Sequence, residues 1–100
     1  MGPRINGHSP WGWIDYLEIK ADGIYLVGTP GHGGFWLSPN RLAELKAKFP
    51  KLENTFAGFP WFEEDCDSVY VILAFPQYFA PWNVESANKQ LVSMKDYYKV

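Results

Sequence analysis

From Trp11 onward the chain alternates. Trp13, Asp15, Leu17 and Ile19 fall on one parity, and Ile14, Tyr16, Glu18 and Lys20 on the other. Trp, Ile and Tyr at these spacings suit a pleated surface. Ala21-Asp22-Gly23 is a turn signal, and Asp-Gly favours a tight hairpin. Ile24-Tyr25-Leu26-Val27 is therefore predicted to run antiparallel to the first strand. Phe35-Trp36-Leu37 makes a short third strand after a glycine-rich loop, which completes a meander. Residues 1–10 hold two Gly, two Pro, Asn6, Ser9 and His8, with Ile5 the only apolar side chain beyond Met1. They are expected to form a loose arm with His8 on the surface.

The period then changes. Ser38-Pro39 is a helix start: a Ser hydroxyl accepts from a free N–H of the first turn, and Pro at the first helical position sacrifices no hydrogen bond. Leu42, Leu45 and Phe49 form the buried stripe, Arg41, Glu44, Lys46 and Lys48 face water, and Pro50 ends the helix. Residues 51–60 connect. In 68–75 the β-rich Val69-Tyr70-Val71-Ile72 competes with a helix reading, and the helix is preferred. Glu63, Glu64, Asp65 and Asp67 crowd its front, where the helix dipole favours negative charge, and Cys66, Val69, Leu73 and Pro76 repeat at helical spacing. After the bend at Pro76, Pro81 and Trp82, Val84, Ala87, Leu91 and Met94 share one face of a last helix, and Tyr97-Tyr98 are read as docking the terminus. The fold class is α+β: a small antiparallel meander of about three strands with two to three helices packed on one face.

One hundred residues make a single domain, 1–100. Aromatic residues are 18 % of the chain, five of them Trp, enough to build a compact core and to leave some rings for an interface. A net charge of −2 argues against a surface that tracks nucleic-acid phosphates. The lone Cys66 excludes an internal disulfide and fits a reducing, cytoplasmic setting. The first eleven residues lack the apolar stretch of a signal peptide, and no run approaches the length that spans a bilayer.

Candidate chemistry concentrates in two places. The first is the run Thr29-Pro30-Gly31-His32-Gly33-Gly34, where Gly31, Gly33 and Gly34 can take φ > 0 and Gly33 and Gly34 are expected to resist replacement if either does. The second is Trp61-Phe62-Glu63-Glu64-Asp65-Cys66-Asp67. Together with Gly12, Leu37-Ser38-Pro39, Arg41 and Phe75-Pro76, these segments resemble a family of small proteins of unknown function found mostly in bacteria, plasmids and phages. Members typically read Ser-Thr-Pro-Ser-His-Gly-Gly, then Leu-Ser, then Glu-Glu-Asp-Cys-Asp-Trp, an apolar run and Phe-Pro. The likeness covers residues 12–76. It departs at Gly31, where the family has Ser, and at Ser68, where it has Trp. The resemblance implies a mobile-element setting and no particular reaction.

His32 is expected to be structural, donating to a carboxylate such as Glu64 or Asp65 and pinning the loop to the helix. Thr29, Gly33, Gly34, Ser38 and Arg41 complete that structural motif. A catalytic set of Cys66 as nucleophile, His32 as base and Asp65 as orienter is the enzyme alternative, as is a metal-dependent hydrolase. The four carboxylates oppose a thiolate at Cys66, so catalysis is the lesser reading. The spacing matches no established zinc pattern, so no metal ligands and no cofactor are assigned. The loop lacks the Lys-Ser/Thr ending of a phosphate loop. The preferred function is protein binding, as a mobile-element accessory or inhibitor of a host defence complex in the host cytosol, of the anti-CRISPR or anti-restriction type. Its partner is then a host protein or complex, with no nucleic acid and no membrane. The binding residues proposed are Trp11, Tyr78, Phe79 and Trp82, with Glu63, Glu64 and Asp67 beside them.

Overall fold

The computed structural model describes residues 2–94. The elements in chain order are β1 (His8–Ser9), β2 (Gly12–Trp13), β3 (Tyr16–Ala21), β4 (Ile24–Gly28), β5 (Gly33–Leu37), α1 (Pro39–Lys48), β6 (Trp61–Glu63), α2 (Ser68–Ala74), a 3-10 turn (Pro76–Tyr78) and α3 (Pro81–Met94). The fold is α+β, as the pattern predicts. The meander has a fourth strand: β3-β4-β5-β6, antiparallel throughout. Tyr97-Tyr98 lie outside the described residues.

Local chemistry explains the joints. Gly23 sits at φ +79° in the β3–β4 turn, and a Cβ there would strike the Ser38 hydroxyl. Ser38 N donates to Gly23 O at 2.9 Å, while Ser38 Oγ accepts from Arg41 N and caps α1. Arg41 does not face water as expected. Its Nε donates to Asp22 O at 2.9 Å, Nη2 donates to Tyr78 Oη at 3.3 Å, and the guanidinium lies over the Phe75 and Tyr78 rings. One side chain thus ties the β3–β4 hairpin, α1 and the 3-10 turn together.

Register sorts the sheet into two faces. Ile24 pairs with Leu37, and Leu26, Phe35 and Phe62 form the next row. This face carries the main core, completed by Leu45, Leu52, Val69, Tyr70, Val71, Ala74, Phe75 and Ala87 from the helical side. Helix α2 packs against the sheet, α1 and α3. A helix enclosed on so many sides needs apolar residues all round, which is why its sequence shows no single stripe. Of the expected stripe only Val69 is fully buried; Leu73 and Cys66 are half-buried and Pro76 is exposed.

The reverse face carries Tyr25, Trp36 and Trp61 in one row and Val27, Gly34 and Glu63 in the next. Residues 2–10, from the expected loose arm, cover it together with the segment from Trp11 to Ile14. Strands β1 and β2 form a small hairpin, His8 stacks on Trp13, and Asn6 N and Ile14 N bond to Ile14 O and Gly7 O. Trp11 packs edge-on against Trp61, with centroids 5.7 Å apart, and Gly2 lies against Tyr25 and Trp36. Ile14 and Val27 are fully buried outside the helix-side core. An aromatic sheet face left in water would be costly, and the first residues supply its cover.

Candidate functional site

The pairing Gly34↔Glu63 sets the end of β6 beside the start of β5. It brings the Thr29 loop and the acidic turn together. Thr29 closes its own loop: Thr29 Oγ1 donates to His32 O at 2.6 Å and accepts from His32 N at 3.2 Å, and Thr29 N also donates to His32 O. Across the strand boundary Glu64 N donates to Gly33 O at 3.0 Å.

The carboxylates divide by burial. Glu63 is 6 % exposed, and its Oε1 accepts from Asp65 N at 2.7 Å and Cys66 N at 2.9 Å. Asp67 is 1 % exposed and accepts three backbone N–H groups, from Phe56, Ala57 and Glu63. It makes no side-chain cap for α2. These two acids accept from loop backbone N–H groups and not from the first turn of α2, because buried N–H groups demand acceptors. Glu64 and Asp65 are exposed.

His32 does not pin the loop. Its side chain is 64 % exposed, and Nδ1 stands 3.8 Å from Glu63 Oε2, beyond hydrogen-bond reach. Its partner is Glu63 rather than Glu64 or Asp65. His32→Ala is therefore expected to leave unfolding free energy within about 0.5 kcal/mol of the parent, because surface changes usually do. A urea titration checks it, and a loss above about 1 kcal/mol would return the pinning role to the ring.

Gly33 and Gly34 are not at positive φ, so that reason for resisting replacement falls away. They are glycine because neighbours press on them: a Cβ on Gly34 would collide with Phe62 O and come within 2.8 Å of Trp11 Cη2.

The catalytic alternative gains little. Burial pushes the Cys66 thiol up, and the carboxylates of Glu63, Asp67 and Asp65 push it further, which keeps it protonated and a poor nucleophile. Among the described residues, the His, Cys and acid side chains whose ligand atoms gather within 4.8 Å are His32, Glu63 and Asp65, without Cys66. A surface cavity of about 310 Å³ opens beside them, lined by Asp15, Tyr16, Thr29, His32 and Glu64 among others.

The aromatic candidates also divide. Trp82 is 73 % exposed at the start of α3. Trp11 is half-buried on Trp61, and Phe79 is half-buried edge-on to Phe35 at 5.6 Å. Tyr78 is exposed at its rim and holds Arg41. Exposed residues that sequence reasoning missed include Trp13, Tyr16 and Ile19, along the hairpin and the edge of the sheet, and Phe56 in the connector. The alternation marks their strand, but only the strand order shows that β3 lies at an edge.

A family model described as a domain of unknown function matches residues 4–99, which takes in the Thr29 loop, the acidic turn and nearly all of the N-terminal cover. The chain belongs to the DUF7007 family. No curated protein and no solved structure matches it. The DUF7007 match begins at residue 4, so the family domain includes the β1–β2 hairpin and is more than the meander and its helices. No helix among the described residues is long and apolar enough to cross a membrane.

Proposed function

We propose that this DUF7007 chain is an accessory protein of a phage or plasmid that binds a host protein and inhibits a host defence complex, of the anti-CRISPR or anti-restriction type. Support for the mobile-element setting comes from the resemblance across residues 12–76. Support for binding comes from one feature, the open edge at β3. Among the described residues no strand covers it, and Tyr16 and Ile19 stand exposed along it, with Trp13 exposed in the preceding hairpin.

An uncovered edge presents free N–H and C=O groups to another chain. Register puts Tyr16 and Ile19 on opposite faces of the sheet, so an added strand would be gripped from both sides. Tyr16 Oη donates to Glu18 Oε1 at 3.0 Å, and Glu18 pairs with Lys20 Nζ at 3.1 Å, which holds the tyrosine in place before binding. The irregular register between Ile19 and Ala21 ends the usable edge. Asp15 and the net charge of −2 favour a basic segment of the partner.

Affinity capture from host lysate, with the captured protein identified and its complex reconstituted, tests this. Ile19→Lys is expected to weaken the reconstituted complex at least tenfold, and Trp82→Ala to weaken it less, with both variants unfolding within about 1 kcal/mol of the parent. Full affinity in Ile19→Lys would remove β3 from the interface. Failure to reconstitute a complex with any defence component would overturn the proposal.

A further inference from the structure

We propose that His32, Glu63 and Asp65 form a binding site for one divalent first-row metal ion. Asp15 and Tyr16 at the β3 edge share the neighbouring cavity with His32, but the three ligands lie outside that strand, and the site does not depend on the binding role proposed above.

Three side chains from two separate segments each offer a ligand atom, and these atoms all lie within 4.8 Å of one another. Imidazole and carboxylate together are a donor set for such ions, including Zn²⁺ and Mn²⁺. Glu63 is the fixed member. Its side chain is more than nine-tenths buried, Oε1 is held by two backbone N–H groups, and no hydrogen bond reaches Oε2 among the described residues. Oε2 is aimed at His32 Nδ1 across 3.8 Å. That gap is too long for a hydrogen bond and close to the roughly 3–3.5 Å that separates two ligands each about 2.1 Å from a common ion.

Charge points the same way. Glu63, Glu64, Asp65 and Asp67 are crowded into five residues, yet no Lys or Arg forms an ion pair with any of them among the described residues. Glu63 thus has His32 as its one ion-pair partner among the described residues, and a metal ion between the two would supply a fixed counter-charge.

The other two ligands can adjust. His32 and Asp65 are exposed, so their side chains can turn by the small amount needed to close on an ion, while their backbones are anchored by Thr29 and by Glu63 Oε1. Three protein ligands leave coordination positions open, and His32 also lines the cavity of about 310 Å³.

Calorimetric titration of the chelator-stripped full chain with ZnCl₂ and with MnCl₂ tests the site. One equivalent of at least one of the two metals is expected to bind. His32→Ala and Asp65→Asn are each expected to lower that affinity at least tenfold while leaving the metal-free unfolding midpoint unchanged. His8→Ala and Cys66→Ser are expected to bind as the parent does. Absence of binding by the parent at millimolar metal would overturn the proposal. So would parent-like affinity in both His32→Ala and Asp65→Asn, or loss of the bound equivalent in His8→Ala.

Discussion

Asp67→Ala is expected to lower the thermal midpoint by more than about 12 °C. The carboxylate accepts from Glu63 N at 2.9 Å, Phe56 N at 2.9 Å and Ala57 N at 3.1 Å, and it is 1 % exposed. Removing it strands three donors, one of them fully buried. An orphaned buried donor costs about 1–3 kcal/mol and the two part-buried ones about 1 kcal/mol each, so about 3–5 kcal/mol is lost in all. For a domain of this size each kcal/mol moves the midpoint by about 4–8 °C. Asp67→Asn keeps one acceptor but turns an NH₂ group toward donors, and is expected to lose nearly as much. Glu64→Ala, two positions from Asp65's neighbour Cys66 and exposed, is the control and should shift the midpoint by less than about 3 °C. A small shift for Asp67→Ala would mean that water takes over the three N–H groups and that the 55–57 loop is not held by this side chain.

Gly34→Ala is expected to cost about 2–3 kcal/mol or to prevent folding, while Gly31→Ala stays within about 0.5 kcal/mol of the parent. The two glycines share one short run, and neither is at positive φ. Their surroundings differ. A Cβ at Gly34 would run into Phe62 O on the neighbouring strand and into the Trp11 ring that covers the reverse face. A Cβ at Gly31 would meet nothing within 4 Å. The added methyl at Gly34 must push β6 or the aromatic cover away, and close-packed neighbours yield little. Urea unfolding of the two variants gives the comparison directly. Equal stability would show that Trp11 and β6 can move aside freely.

The part of this fold that follows from the sequence alone is the part decided within a few residues. Ser38-Pro39 starts α1 because cap, hydroxyl and proline act on the adjoining turn. Asp22-Gly23 turns β3 into β4 because the left-handed conformation is settled at one residue. The stripe through Ala87, Leu91 and Met94 reports its own helix face. The α+β class follows from the order of these elements, and exposed Trp82 follows from a proline-flanked bend.

What the tertiary structure alone decided are properties set by neighbours distant in the chain. Trp61–Glu63 is a strand because β5 offers it an edge, and three residues carry no period of their own. The first residues look like an arm because they are rich in Gly and Pro, and become a layer because Tyr25, Trp36 and Trp61 need cover. Glycine at position 34 reads as conformational freedom in the sequence, whereas in the fold it answers a backbone carbonyl from another strand. The acidic run shows the same division most sharply. Five neighbouring positions with four carboxylates look alike in a sequence, but the fold buries Glu63 at the end of β6 and Asp67 against the 56–57 loop and leaves Glu64 and Asp65 in water. Which of the four serve the fold and which stand beside His32 depends on burial, and burial is a property of the assembled chain.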